Sequence, residues 1–170
     1  MSCRCTDPGP SSCRGPDVAG RETPATRALR EAGVAFELRE YEHDPAAGSY
    51  ALEAAEALGL DPDTVFKTLV VDRDGELAVC LVPSGAQLDT RALGKRVALA
   101  APERAEKVTG YVTGGISPFG QRRPLPTIVD ELAEILDTVW VSGGRRGLEI
   151  GLAPKDLVEQ LGASVGAIAR

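Results

Sequence analysis

The sequence lacks any apolar run that approaches the roughly 20 residues needed to span a bilayer. Its N-terminal residues also lack the apolar centre of a secretory signal peptide. Cysteine and histidine are scarce. Three of the four cysteines, Cys3, Cys5 and Cys13, lie near the N-terminus, and His43 is the only histidine. No second Cys/His pair stands at zinc spacing from them. We therefore expect no metal, no membrane partner and a cytoplasmic location.

Signatures of several catalytic classes are missing as well. No Gly-x-Ser-x-Gly elbow is present, so Ser117 and Ser142 are nucleophiles only in principle, and His43 would have to serve either one. Neither a Walker phosphate loop nor a Gly-x-Gly-x-x-Gly motif after a strand occurs. The net charge of −6 argues against a protein that binds nucleic acid over its whole surface, but it leaves room for local basic patches.

The length of 170 residues fits about one domain, which can bury a core without disulfides or a structural metal. Residues 1–22 are rich in proline, glycine and serine, and they show no hydrophobic periodicity. We predict a disordered extension over residues 1–22 and one folded domain over residues 23–170.

Capping residues and hydrophobic periodicity predict both helices and strands within the domain. Thr23-Pro24 is a typical helix start, and Asp74-Gly75 is typical of a hairpin turn. The two element types mix irregularly rather than as βαβ units. The expected class is therefore α/β of the mixed α+β kind, with a mixed, largely antiparallel sheet forming a partly closed barrel with packed helices. Helices are predicted over 23–33, 49–59, 89–93, 102–108 and 154–161, and strands over 34–38, 65–71, 77–82, 97–100, 127–130, 138–142, 148–152 and 165–169.

The most informative stretch is residues 110–120, which hold four glycines and Pro118. Glycine permits positive φ, so this stretch can bring bare backbone N–H groups close to a ligand. Consecutive N–H groups form a concavity that favours anionic oxygens, including the developing oxyanion of an ester carbonyl. A tight surface turn between strands would use the same residue types. The residues alone leave both interpretations open.

Lys67 is the second candidate position, because it lies among apolar residues in a predicted strand. Burying a lysine is costly unless it meets an anion, and an ammonium group suits phosphate. The alternative is a lysine on an outer strand, where it would block aggregation.

A second glycine-rich turn spans residues 142–147 and combines Ser142 with Arg145 and Arg146. It could receive a phosphodiester or a terminal ribose, or it could be a hairpin turn with exposed arginines. Residue chemistry thus favours an anionic ligand that is bound largely by backbone, and it leaves the substrate open.

Several segments in register resemble those of YbaK-type proteins, which belong to the superfamily of the bacterial prolyl-tRNA synthetase editing domain. The resemblance covers roughly residues 23–170. It rests on Thr23-Pro-Ala, Tyr41-Glu-His-Asp44, Val65-Phe-Lys-Thr-Leu69, Gln87-Leu-Asp89, Thr109-Gly-Tyr-Val-Thr-Gly-Gly-Ile-Ser-Pro118, Leu125-Pro-Thr-Ile128 and Val141-Ser-Gly-Gly-Arg-Arg-Gly-Leu148.

The resemblance implies a trans-acting editing enzyme that deacylates Cys-tRNA(Pro) mischarged by prolyl-tRNA synthetase. Its implied partners are the aminoacyl end of mischarged tRNA and prolyl-tRNA synthetase, with no cofactor. Hydrolytic editing exists because pocket shape alone rejects an amino acid of similar size poorly. In the family the thiol of the substrate is proposed to attack the carbonyl and release a cyclic thiolactone, without a protein nucleophile.

The resemblance also implies roles for individual residues. Lys67 would hold the 3′-terminal backbone of the tRNA, while Gly114 and Gly115 would present backbone amides near the scissile ester. The other residues implied to bind substrate are Tyr41, Tyr50, Thr68, Ile116, Ser117, Pro118, Ser142, Gly144 and Glu149.

Two departures from the family pattern leave the amino-acid preference open. Tyr50 stands where phenylalanine is expected, and Glu149 stands where aspartate is expected. One alternative is a deacylase of the same fold that uses activated water on another small aminoacyl-tRNA, such as Ala-tRNA(Pro). Another is a non-catalytic protein that binds the tRNA end, although the presence of Lys67 and of Gly114-Gly115 argues against it.

Overall fold

The computed structural model describes residues 22–170. The extension predicted over residues 1–22, including Cys3, Cys5 and Cys13, lies almost entirely outside this range. Cys80 is buried in the described part.

The helices begin and end at residues whose chemistry favours those positions. The hydroxyl of Thr23 accepts the N–H of Thr26, and the hydroxyl of Thr26 accepts the N–H of Thr23, which forms a reciprocal cap. Proline opens three of the four α-helices, where its missing N–H costs no hydrogen bond. The helices are α1 (Pro24–Glu31), α2 (Tyr50–Leu58), α3 (Pro102–Thr109) and α4 (Pro154–Leu161), with 3-10 turns at Thr90–Leu93 and Glu131–Ile135.

The strands are close to those predicted. The hairpin turn is confirmed, since Asp74 and Gly75 both adopt positive φ, as a type I′ turn requires. The strands are β1 (Glu37–Glu40), β2 (Val65–Arg73), β3 (Glu76–Pro83), β4 (Val97–Leu99), β5 (Thr127–Asp130), β6 (Val139–Ser142), β7 (Leu148–Leu152) and β8 (Ser164–Gly166).

Two strand boundaries and one turn differ from prediction. β1 begins later than expected, because Val34 and Phe36 pack on the core before strand pairing starts. β8 ends at Gly166, since the N–H groups of Ile168 and Ala169 donate to the carboxylate of Asp130 instead of continuing the ladder. The same carboxylate caps the unpredicted 3-10 turn by accepting the N–H of Leu132.

One sheet contains all eight strands of the described range, in the order β1-β7-β6-β2-β3-β5-β8, with β4 also paired to β2. Four pairings are antiparallel and three are parallel, which confirms a mixed, largely antiparallel sheet. The sheet does not close into a barrel within residues 22–170, because its outer strands β1 and β8 do not pair with each other. No helix in this range is both long and apolar enough to cross a membrane.

The strand pairing leaves one edge of β2 uncovered at its middle. β3 pairs with β2 along one edge from Phe66 to Arg73. On the other edge, β6 reaches only Val65 and Phe66, while β4 reaches only residues 71–73. No strand therefore covers residues 67–70 on that side, although the main core, including Phe66 and Val70, lies immediately beside them.

Candidate functional site

A cavity of about 340 Å³ lies beside the uncovered edge of β2. That volume suits a small ligand group. Its walls come from the start of α2, the middle of β2, the β4–α3 connection, residues 113–116, and the facing ends of β6 and β7. The lining residues are Ser49, Tyr50, Ala51, Phe66, Lys67, Thr68, Leu69, Val70, Leu99, Ala100, Pro102, Ala105, Thr113, Gly114, Ile116, Ser142 and Glu149.

The cavity brings together seven of the twelve residues expected at the site. They come from five separate segments of the chain, so the fold assembles them rather than local sequence. The other five do not line it. The lining members are Tyr50, Lys67, Thr68, Gly114, Ile116, Ser142 and Glu149; the others are Tyr41, Gly115, Ser117, Pro118 and Gly144.

Lys67 extends from the middle of β2, which is an interior strand of the sheet rather than an outer one. This placement removes the outer-strand interpretation. Its ammonium donates to the carbonyl of Ala86. Burial lowers the pKa of Lys67, because desolvation disfavours the charged form. An ammonium group has three N–H donors, so two remain for a ligand in the cavity.

Thr68 offers polar groups to the cavity from both its side chain and its backbone. Its buried hydroxyl has no hydrogen-bond partner in the described part of the chain. The carbonyl of Val70 accepts the N–H of Ala100 across the uncovered edge, at 2.9 Å. Since backbone groups alternate along a strand, those of Thr68 point to the same edge. Buried polar groups are normally paired, so an orphaned hydroxyl in a cavity favours a ligand there.

Glu149 lies in β7, where it pairs in register with Ser142. It is only 6% exposed. Burial raises the pKa of Glu149 to about 8, so its carboxyl group is mostly neutral at pH 7. The nearby Tyr41 has a pKa of about 12, raised by burial and then by the negative charges of Glu149 and Glu53. The cavity therefore holds a carboxyl group that can donate or accept a hydrogen bond.

The turn at residues 112–115 sets which backbone amides next to the cavity are engaged within the protein. The N–H of Gly115 donates to the carbonyl of Val112 at 2.9 Å and closes the turn. The N–H groups of Gly114 and Ile116 have no protein partner within residues 22–170, and both residues line the cavity. Of the two glycines predicted to supply amides, Gly114 has a free N–H and Gly115 has an engaged one.

Close approach explains why both positions are glycine. Gly114 has φ +85°, and a Cβ there would lie 2.6 Å from the ring of Tyr50. A Cβ on Gly115 would lie 3.0 Å from the backbone of Arg145 and Arg146. The first glycine-rich loop is therefore packed between α2 and the second glycine-rich loop.

The second loop, residues 142–147, is tied to the fold by its own backbone. The N–H of Gly143 donates to Leu148 at 2.7 Å, and the carbonyl of Gly143 accepts the hydroxyl of Thr23. A Cβ on Gly144 would lie 2.8 Å from the ring of Tyr111. Gly144 thus packs against Tyr111 and Thr23 and does not line the cavity.

The serines and the histidine do not form a catalytic pair in the described residues. Ser117 is fully buried, and its hydroxyl accepts the N–H of Phe119 at 3.3 Å. Nδ1 of His43 lies 2.9 Å from Oε2 of Glu53, and its ring stands beside that of Tyr50, outside the cavity lining. No group of three or more metal-ligating side chains occurs within residues 22–170.

Part of the cavity wall consists of residues that the sequence patterns did not predict. Thr113 immediately precedes the glycine pair, so its neighbourhood was a usable signal. Leu99, Ala100, Pro102 and Ala105 gave no such signal, because only the pairing of β4 with β2 brings them to the cavity.

Known proteins are similar to this chain in fold and in sequence. A candidate Cys-tRNA(Pro)/Cys-tRNA(Cys) deacylase, EbsC of Enterococcus faecalis, is 32% identical over 146 residues, covering 81% of this chain and 87% of that protein. The crystal structure of a candidate trans-editing enzyme for prolyl tRNA synthetase superposes with a TM-score of 0.74 at 30% identity, covering 86% of this chain and 95% of that one.

A third relative is much longer. Proline–tRNA ligase of Maridesulfovibrio salexigens is 28% identical over 100 residues, which are 56% of this chain and 17% of the ligase. The family profile of the aminoacyl-tRNA editing domain matches residues 44–160, which include every residue that lines the cavity. The chain belongs to the aminoacyl-tRNA editing domain family.

Proposed function

We propose that this editing-family protein is a trans-acting aminoacyl-tRNA deacylase whose substrate is Cys-tRNA(Pro). The observation that carries the proposal is the pair of unpartnered amides at Gly114 and Ile116, which line a cavity together with Lys67. Amide donors held in a fixed position stabilise an oxyanion without reorganising during the reaction. The names of EbsC and of the prolyl tRNA synthetase trans-editing enzyme support the substrate class.

In the proposed reaction the carbonyl oxygen of the aminoacyl ester lies against the amides of Gly114 and Ile116. The cysteine sulfur of the substrate attacks the ester carbon, and the C–S bond forms as the bond to the ribose oxygen breaks. The thiol proton passes to that ribose oxygen, so the products are a cyclic thiolactone and free tRNA. Holding the thiol beside the carbonyl makes the step intramolecular, which accounts for much of the rate gain.

Lys67 and Glu149 would position the two ends of the substrate. The free donors of Lys67 suit the 3′-terminal phosphodiester of the tRNA. The Glu149 carboxyl group would receive the α-amino group of the amino acid, and a bound ammonium would lower the pKa of Glu149 and favour its ionised form. The unpartnered Thr68 hydroxyl would complete the polar side of the cavity.

The source of the substrate, the location of the protein and the part of the chain that carries the activity follow from this function. Prolyl-tRNA synthetase would supply the mischarged tRNA, so the protein would work in the cytoplasm. Residues 23–170 would carry the activity, with residues 1–22 dispensable, because every lining residue lies within the folded domain.

A panel of mischarged tRNAs tests the function. The full chain and a variant lacking residues 1–22 are incubated with Cys-tRNA(Pro), Ala-tRNA(Pro) and correctly charged Pro-tRNA(Pro). We expect fast loss of cysteine, detection of the thiolactone, and a loss of at least about 100-fold in Lys67→Ala. Lys155→Ala is the matched control, since Lys155 is exposed on α4 and contacts Glu159 at 3.8 Å.

The panel also separates the alternatives. Faster turnover of Ala-tRNA(Pro) than of Cys-tRNA(Pro) would replace the proposed substrate with a small apolar amino acid and activated water. Binding of tRNA with no deacylation above background would leave a binding protein, and normal turnover by Lys67→Ala would remove Lys67 from the mechanism.

A further inference from the structure

Charged side chains hold the backbone of Thr113 on both sides, through its N–H and through its carbonyl, which is part of the peptide group joining Thr113 to Gly114. The N–H of Thr113 donates to Oε1 of Glu106 at 2.7 Å, and this bond lowers the pKa of Glu106. The carbonyl of Thr113 accepts from Nε and Nη2 of Arg146, at 3.1 and 2.7 Å. Two donors of one planar guanidinium on one oxygen restrict the direction of that carbonyl.

That carbonyl belongs to the same peptide unit as the N–H of Gly114. In a trans peptide the C=O and N–H point in opposite directions, so fixing one fixes the other. The turn at residues 112–115 has a positive φ at Gly114, as in a type II turn. A flip of its central peptide would give a type I turn, which glycine also tolerates, and would turn the Gly114 N–H away.

Arg146 has a second contact at the same place. Its guanidinium carbon lies 4.8 Å from the centre of the Tyr50 ring, and that ring packs against Gly114. The side chain thus joins the second glycine-rich loop to both the turn and the cavity wall. Arg146 lies within the motif at residues 141–148, but the resemblance assigns it no role and it does not line the cavity.

We infer that Arg146 is a positioning residue, which keeps the Gly114 N–H directed into the cavity by holding the Thr113 carbonyl. The inference rests on the proposed function for its kinetic consequence. The structural consequence, which is the orientation of the Thr113–Gly114 peptide, is independent of the proposed function. A surface arginine that only bound tRNA phosphate would affect substrate binding and its salt dependence instead.

The kinetic test compares Arg146→Met and Arg146→Lys with the wild-type chain on Cys-tRNA(Pro) under single-turnover and steady-state conditions. We expect kcat to fall by about 10- to 100-fold in Arg146→Met, below the 10²–10³ lost when an oxyanion donor is removed outright. KM should change by less than about threefold, because ground-state binding is retained. Arg146→Lys should recover only part of kcat, since ammonium cannot form the two-point contact.

Arg30→Met is the matched control, because Arg30 is also an exposed arginine beside an aromatic ring, at 5.9 Å from Phe36. It should match wild type in kcat and KM.

Adding guanidinium chloride to Arg146→Ala, far below denaturing concentrations, should restore part of kcat. The melting temperature of each variant shows whether it is folded. If Arg146→Met does not fold, the comparison of Arg146→Lys with wild type still tests the inference.

The structural test follows the Gly114 amide by ¹H–¹⁵N NMR without substrate. Wild type should give one sharp signal, while Arg146→Met should give a shifted, doubled or broadened one as the peptide flips. An unchanged Gly114 signal, or a raised KM with unchanged kcat, would overturn the inference. If wild type deacylates no tRNA in the panel, the proposed function fails, and the NMR comparison still decides the role of Arg146.

Discussion

The two glycine-rich loops look alike in sequence and differ in where their backbone donors point. In the second loop, the N–H of Gly143 donates to Leu148 and that of Gly144 to the Ser142 hydroxyl. In the first loop, Gly115 closes the turn while Gly114 and Ile116 keep free N–H groups at the cavity. Glycine content therefore does not show which loop keeps backbone amides free for a ligand. The hydrogen bonds of each amide do.

The largest expected effect comes from adding one methyl group to each loop. Gly114→Ala forces a Cβ against the Tyr50 ring at positive φ, and kcat/KM should fall by about 10²–10³ because the free amide is displaced. Gly143→Ala places a Cβ 2.7 Å from the Leu148 side chain and should lower stability by about 1–3 kcal/mol.

Melting temperatures and kinetics of both variants decide whether the loops differ as described. If Gly143→Ala loses as much kcat/KM per folded molecule as Gly114→Ala, the two loops share one function and the distinction fails.

An intermediate effect on stability is expected at Glu149, which follows the second loop and lines the cavity. Its folded pKa of about 8 exceeds the ordinary value of 4.5, so the folded state binds the proton more tightly. Stability from this group is complete at low pH and is lost as pH rises from about 4.5 to 8. Wild type should therefore lose at least about 4 °C of melting temperature relative to Glu149→Gln between pH 5 and pH 8.

The measurement is the melting temperature of wild type and of Glu149→Gln across that pH range. Subtracting one from the other removes the contribution of the titratable groups that both chains contain. Parallel curves would mean that Glu149 is not buried as a neutral acid.

The smallest effect is expected at two threonines. Like the amides of the two loops, their hydroxyls differ in whether they have a hydrogen-bond partner in the protein. Thr68→Val removes an unpartnered hydroxyl, so stability should stay or rise by up to about 1 kcal/mol while kcat/KM falls by about 3- to 10-fold. Thr109→Val removes a hydroxyl that donates to Ala105 at 2.8 Å and accepts the N–H of Tyr111, so it should cost about 1–3 kcal/mol.

Chemical denaturation of the two variants gives this comparison. A lower stability for Thr68→Val than for Thr109→Val would show that Thr68 has a structural partner, and would reassign its hydroxyl from the ligand to the fold.

Local chemistry explains what could be predicted. Thr23-Pro24 and Asp74-Gly75 mark element boundaries through their own backbone preferences, and the structure confirms both. The cavity was not predictable in the same way. It depends on β6 and β4 each stopping short on one edge of β2, and on the Gly115 amide being used inside its turn. Those are long-range or geometric facts that no residue type encodes.

The uncovered edge of β2 has a consequence for how such a site can change over time. Part of the cavity boundary is strand backbone at Thr68, which is the same for any side chain. Leu99, Ala100 and Ala105 line another part of the cavity, and their side chains can differ without changing this backbone. Substitutions there can reshape the space for a different amino acid while the backbone donors stay in place. Under the proposed function, a new amino-acid preference would therefore come from exchange of these wall residues.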